Sequence, residues 1–361
     1  MTHASTSHKG PLNGVRVLEF AGIGPGPHCC MLLADMGATV LRIDREGGNG
    51  WANPVADRGR KIVTLDIKST EGKAFCRHAA DGADVLIEGY RPGLMERLGL
   101  GPEVLMARNP RLIYGRVTGW GQEGPLAKAA GHDINYISLT GALAAFGRPG
   151  EVPPPPLNLV GDFGGGSMLM VVGVLAALVE RQNSGKGQIV DAAMVDGASS
   201  LMSFFAGLVP SGRISVDRDK SLLGGAAHFY RCYACKDGKY ISVGALEPQF
   251  YAELIDKSGA PAILHEDRDN PDNWPEYCRI LEKHFLTKTQ AEWCALLEGS
   301  DACFAPVLTL EEAKDHPHMC AREAYRLEGN ALHTPAVPRF SRTPGEARPS
   351  VELVPVSNPW I

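Results

Sequence analysis

Through its first 120 residues the chain swings repeatedly between short β-branched runs and helical ones, and this alternation restricts its fold more than any other feature. Val15–Phe20 reads as a strand and runs into the turn Ala21-Gly22-Ile23-Gly24-Pro25-Gly26-Pro27. A helical stretch at 28–36 then closes on Gly37, a residue suited to a helix C-terminus, and Thr39–Ile43 is the next strand. Further strands are predicted at 62–67, 84–87 and 112–117, with a helix at 70–80 behind the N-cap candidate Ser69. Such βαβ units pack as a parallel sheet with helices on its faces. Right-handed crossovers then make the fold Rossmann-like.

The 361 residues exceed the about 250–300 at which single cores stop growing, so a second domain is expected. A Pro-rich run at 153–156 and the Gly-rich turn Gly161–Gly166 precede a long helix predicted at 167–182 and a short strand at 188–192. From about residue 226 the texture changes. Phe229–Tyr233 and Tyr240–Gly244 flank Asp237-Gly238, a pair typical of type I′ hairpin turns. Helices are predicted at 248–257, 274–286 and 288–298, and another opens on the capping box Thr309-x-x-Glu312. The predicted fold class is therefore α/β: a Rossmann-like large domain with a parallel sheet (11–205 and 325–361), a linker (206–225) and a smaller α+β domain (226–322). The tail, with Pro335, Pro338, Pro344, Pro349, Pro355 and Pro359, reads as an extended strap.

At 44% hydrophobic and 21% charged the composition is that of a globular protein, with 42 Gly and 26 Pro pointing to many tight turns. A formal net charge of −5 argues against bulk attraction to nucleic acid or an anionic membrane. The apolar run 168–179, 12 residues long, falls short of the about 20 a spanning helix needs and reads as a buried helix. The N-terminus lacks the apolar core of a signal peptide, so a cytosolic protein is expected. Nine scattered cysteines form no disulfide pattern, and Cys232-x-x-Cys235 reads as part of a strand with reduced thiols, without a metal.

Several residues suit chemistry. Gly22-x-Gly24-x-Gly26 misses the G-x-G-x-x-G spacing of dinucleotide sites, and Pro25 and Pro27 remove donors, so a tight βα turn is the better reading. Arg58-Gly59-Arg60-Lys61, with Arg42, Arg45 and Lys68 nearby, is the main basic cluster near strand ends and is expected to meet phosphates, against a plainer reading as a solvated loop. Gly89-Tyr90-Arg91 adds a ring and a cation, and Gly131-His132-Asp133-Ile134-Asn135-Tyr136 brings together an imidazole, a carboxylate, an amide and a phenol. Asp162, preceded by Asn158, reads as a helix N-cap, and the glycines after it as a helix-terminal anion site for a developing oxyanion. Glu247 heads a helix in the second domain.

The segments VLEFAGIGPGPHCCMLLADMGATVLRIDR, IEGYRPGLMERLGLGPE, AGHDINYISLTGAL and PPLNLVGDFGGGSM resemble the alpha-methylacyl-CoA racemases of the family III CoA-transferase superfamily, a likeness running from about Pro11 to Pro344. The resemblance implies an interlocked homodimer with active sites between domains of different subunits, and an acyl-CoA thioester as substrate. It implies neither metal nor cofactor, coenzyme A being part of the substrate, and no nucleic acid or membrane partner. His132 and Asp162 match the acid/base pair, Glu247 a glutamate that orients the histidine, and Asn158 and Tyr230 neighbouring positions. Arg45, Leu65-Asp66-Ile67-Lys68, Gly89-Tyr90-Arg91, Gly131 and Asp133-Ile134-Asn135-Tyr136 match coenzyme A contacts. The chain departs from the family pattern at 220–227, and Met202–Phe205 is less Met-rich than the usual acyl surface.

The residue types suit the implied reaction. Inverting a carbon α to a thioester needs one base to take a proton and an acid on the opposite face to return one, each with a pKa near the working pH. A helix N-terminus would lower the Asp162 pKa, so burial, helped by Asn158, is expected to oppose it. The competing reading is a transferase in which Asp162 attacks the thioester as a nucleophile.

Overall fold

The computed structural model describes residues 9–48, 50–348, 352–353 and 360, which form two compact units. The first comprises residues 1–140, 156–201 and 318–361, and the second residues 141–155 and 202–317.

In the first unit β1 (Arg16–Phe20), α1 (Pro25–Asp35), β2 (Thr39–Asp44), β3 (Arg60–Thr64), α2 (Thr70–Asp81) and β4 (Val85–Glu88) follow in order. They are succeeded by α3 (Leu94–Leu98), α4 (Pro102–Arg108), β5 (Ile113–Thr118) and α5 (Asp133–Leu139). A π-helix, Leu159–Met168, then runs directly into α6 (Leu169–Ser184), followed by β6 (Ile189–Ala193) and α7 (Met194–Leu201). The six strands form a parallel sheet in the order β3-β2-β1-β4-β5-β6.

Successive strand residues face opposite sides, and both sides are buried, which explains why the strands read as apolar runs. Val17, Val40, Val85 and Ile87 pack beneath α1 and α6, while Leu18, Leu41 and Leu86 pack beneath α2 and α4. Helix α1 starts at Pro25, three residues before its predicted start, because proline is favoured in a first helical turn. Ser69 caps α2 as expected, its hydroxyl accepting from Gly72 N at 2.9 Å. The apolar run 168–179 is buried on one side only: Met170, Val171, Val174 and Ala177 are covered, whereas Met168, Val172 and Val179 are exposed. Together, the π-helix and α6 make the one helix among the described residues long and apolar enough to cross a membrane, by length and composition alone.

The second unit holds a 3₁₀ turn (Leu143–Ala145) and then α8 (Ser203–Leu208). An antiparallel sheet follows, β7 (Tyr230–Ala234), β8 (Tyr240–Gly244) and β9 (Phe304–Val307), with α9 (Pro248–Ser258), α10 (Trp274–Phe285) and α11 (Gln290–Leu297). Phe229, Tyr251, Phe285 and Trp293 lie at its core. The β7–β8 turn is not type I′, which needs positive φ at both central residues. Gly238 has φ 78°, and Asp237 is not in the left-handed region. Thr309 forms the expected capping box with Glu312 and opens α12 (Leu310–Ala313).

Residues 141–155 and 202–225, read from sequence as large domain and linker, group with the second unit. Arg148 donates to Gly225 O at 2.9 Å, and Arg218 donates to Arg148 O and Glu151 O at 3.0 and 2.6 Å.

The chain returns to the first unit within α13 (Pro317–Ala321) and adds a small hairpin, β10 (Arg326–Glu328) and β11 (Ala331–His333), that the sequence did not signal. The tail then crosses α1: Glu346 N donates to Asp35 O at 2.8 Å, and Arg348 donates to Ala34 O and Ala38 O at 2.8 and 2.9 Å. Strand β12 (Glu352–Leu353) pairs parallel with β3. Pro349, Pro355 and Pro359 of the predicted strap lie outside the described residues. All nine cysteines are free thiols, Cys232 exposed and Cys235 buried.

Candidate active site

Asp162 sits on the π-helix and does not cap it; Asn158 does. A π-helix bonds each N–H to the carbonyl five residues back, as Phe163 N does to Asn158 O at 3.3 Å. The glycines after Asp162 permit close packing and do not form an open anion site. A Cβ on Gly165 would lie 2.7 Å from Ala198 N, and one on Gly197 would lie 2.0 Å from Gly165 O, so α7 approaches the π-helix at backbone distance.

Three neighbours hold Asp162. Asn158 Nδ2 donates to its Oδ2 at 3.1 Å, and its own N–H donates to Asp133 Oδ2 at 2.7 Å. Gly24, at φ 70° and ψ −120°, passes so close that a Cβ there would lie 2.9 Å from Asp162 Oδ2. The βα turn read as merely tight therefore forms one wall of the acid's socket.

Burial raises the Asp162 pKa, the Asn158 bond lowers it, the Asp133 charge raises it and His132 lowers it; the net shift is upward. Burial thus has the expected effect, but Asn158 acts in the opposite sense to the one expected, because a donated hydrogen bond favours the carboxylate.

His132 is the N-cap of α5, in extended backbone, and Asn135 Oδ1 accepts from its N–H at 3.0 Å. Tyr136, one turn on, donates its hydroxyl to Gly131 O and packs edge-on against Trp120 at 4.8 Å between centroids. A Cβ on Gly119 would lie 2.1 Å from that phenol ring, so only glycine fits beneath it.

A cleft of about 1190 Å³ opens over the C-terminal ends of β1 to β5, where open α/β sheets bind ligands. His132 and Asp162 both line it, as do Arg45, Leu65–Lys68, Gly89–Arg91, Gly131 and Tyr136. The exposed cations Arg45, Lys68 and Arg91 line this wall among the carboxyl groups of Asp44, Glu46 and Asp66. Asp133, Ile134, Asn135 and Asn158 are not in the lining: Asp133 is buried and binds the Asp162 amide, while Ile134 and Asn135 face solvent. Glu247 is exposed at the N-cap of α9 and Tyr230 is half-buried in β7, both within the second unit.

The expected phosphate cluster turns out to be internal. Arg58 donates to Asp35 at 2.9 and 2.5 Å, Arg60 to Glu19 at 3.0 Å, and Arg42 to Glu19 at 2.8 Å and Asp57 at 2.7 Å. All three guanidinium groups are at most 2% exposed. Of the basic residues grouped there, only Arg45 and Lys68 line the cleft.

Two site features escaped sequence reasoning: Gly24, whose role depends on a contact across 138 positions, and Glu88. The Glu88 carboxyl ends β4 in the cleft wall, and burial pushes its pKa up to about 7. Among the described residues, no group of three or more His, Cys, Asp or Glu could hold a metal ion.

A parallel sheet with a large cleft over its strand ends, its wall carrying three cations, an imidazole and a half-buried carboxyl, is that of an α/β protein whose ligand site lies at the sheet's C-terminal edge. The chain belongs to CoA-transferase family III, which it matches over residues 12–351. It is 44% identical over 353 residues to the alpha-methylacyl-CoA racemase of Mus musculus, covering 95% of this chain and 92% of that one. Identity to the Homo sapiens racemase is 42% over 343 residues, covering 92% and 90%. Among solved structures, a CAIB/BAIF family protein from Brucella suis superposes with a TM-score of 0.82 at 25% identity, covering 96% of this chain and 97% of that one.

Proposed function

We propose that this protein inverts the α-carbon of 2-methylacyl-CoA thioesters by two-base proton transfer. The observation that carries the reading is that His132 and Asp162 open onto one cleft, shared with Arg45, Lys68 and Arg91, in a chain 44% identical to a racemase. One residue breaks the α C–H bond and takes the proton, leaving the electron pair on an enolate-like thioester. The other gives a proton to the opposite face. Their roles exchange for the opposite epimer.

A half-buried carboxyl with a raised pKa suits this alternation of acid and base. A nucleophilic Asp162, as in the transferase reading, would need to stay ionised. The enolate oxygen needs N–H donors. The Gly164 region is taken up by helix packing, so the first turn of α5, beside His132, is the better source. Arg45, Lys68 and Arg91 bind the phosphates of coenzyme A, which serves as part of the substrate.

In this reading the protein works as a homodimer in the cytosol, and Glu247 of the partner subunit orients His132. The exposed stripe of Met168, at the end of the π-helix, and Val172 and Val179 on α6 supports a dimer, because it leaves apolar surface that a second copy would cover.

¹H NMR of pure-epimer 2-methylacyl-CoA thioesters in D₂O tests the proposal. The expected result is deuterium entering the α position as the epimer drifts toward a near-equal mixture. No label entering any 2-methylacyl-CoA, with coenzyme A moving to an added free acid, would establish the transferase instead.

A further inference from the structure

Glu88, at the end of β4, has an environment that the proton-transfer reaction does not use. It lies in the cleft wall yet is only 4% exposed, and its Oε2 accepts from the Tyr90 amide at 2.7 Å. Tyr90 and Arg91 carry that wall onward into the cleft.

The cation that pairs with Glu88 makes its hydrogen bonds elsewhere. Arg116 on β5 pairs closely with Glu96 of α3 and donates to Gln122 at 2.9 Å. Its Nε stays 3.6 Å from Glu88 Oε1, beyond hydrogen-bond reach, and has no other partner. Glu96 on α3 and Asp191 on β6 add further negative charge, and Tyr114 on β5 adds a phenol. One guanidinium therefore serves three carboxyl groups, and Glu88 is the most deeply buried of them.

We propose that Glu88 is a positioning residue for substrate binding, holding the Tyr90-Arg91 segment in the cleft wall through the Tyr90 amide. The cleft then takes an anion best while this carboxyl is neutral, because its ionisation adds negative charge, only partly offset by the shared Arg116, to a wall that already carries Asp44, Glu46 and Asp66. Burial, the largest influence, pushes the Glu88 pKa up to about 7.

This inference rests on the reading that the cleft binds coenzyme A thioesters, and the test separates the two. Dephospho-coenzyme A is a suitable probe: it keeps an anionic diphosphate and has no group of its own titrating between about pH 6 and pH 8. Its dissociation constant should rise about tenfold across that range for the unmodified protein. Glu88→Gln keeps the acceptor for the Tyr90 amide and removes the charge, so it should bind at every pH as tightly as the unmodified protein does at the acid end. Glu88→Ala, which loses the tether, should bind more weakly at all pH values.

A pH-independent dissociation constant for the unmodified protein would overturn the inference without recourse to any variant. So would a Glu88→Gln protein that keeps the slope. Failure of the probe to bind at any pH would instead refute the coenzyme A reading.

Discussion

Replacing Gly24 by alanine tests the socket around Asp162. The backbone there, at φ 70° and ψ −120°, is open to glycine and strained for any other residue, at about 1–3 kcal/mol. The new Cβ would stand 2.9 Å from Asp162 Oδ2, where ordinary contact starts at 3.4 Å, so the carboxylate has to retreat roughly half an ångström. That retreat strains the 3.1 Å bond from Asn158. A misplacement of about 1 Å costs about 10²-fold in rate, so about tenfold is expected here, together with a loss of a few degrees in Tm. Deuterium wash-in measured separately for the two epimers gives the decisive reading. The epimer that uses Asp162 as its base should slow, while exchange of the one deprotonated by His132 should be largely kept. Gly22→Ala is the control, since nothing lies within 4 Å of a Cβ there. Equal slowing of both epimers, or an effect no larger than that of the control, would refute the socket.

Asn158→Ala and Asp133→Asn should shift the pH profile of kcat in opposite directions. The first removes a donor that favours the Asp162 carboxylate, so the limb reporting Asp162 ionisation moves to higher pH; the second removes a charge that opposes ionisation, so the limb moves lower. Arg58→Ala leaves Asp35 buried and unpaired and should cost about 3–5 kcal/mol in denaturant unfolding, with the KM for the thioester unchanged in the folded fraction. Arg45→Ala, on the cleft wall, should raise KM with kcat nearly constant, since a remote phosphate contact acts alike in ground and transition states.

The sheet was legible because its signal is local: Val17 and Leu18 are neighbours in sequence and face opposite cores, which is all that an apolar run encodes. Strand β3 was placed two residues late, since nothing nearby announces that the Arg60 charge is neutralised by Glu19, 41 positions away. The same blindness made Arg42, Arg58 and Arg60 look like a ligand site. His132, Asp162 and the loop at 89–91 were singled out by residue type beyond strand ends and the loop at 65–68 by family resemblance, and all of them line the cleft, since a parallel sheet brings its strand ends together whatever the intervening chain. Asp133, Ile134 and Asn135 were carried along with His132, although a helix start turns adjacent residues to different sides. Glu88 carries no local mark, and the motif around Gly24 marks only a tight turn, because each owes its part to an atom supplied by another element.

The π-helix governs how the direction of Asp162 responds to chain length. Its turns hold more residues than the 3.6 of an α-helix, and α6 follows without a break. Closing this segment into α-helix at constant length would turn Asp162 around the axis relative to α6, whereas deleting one residue as it closes roughly restores its direction, because the wider turns house the extra residue. An insertion or deletion within α6 itself has no such slack: it turns everything before it by about 100°, the step of one helical residue. The direction of Asp162 is therefore less sensitive to a one-residue deletion just before Leu169 than to one in the ordinary helix that follows.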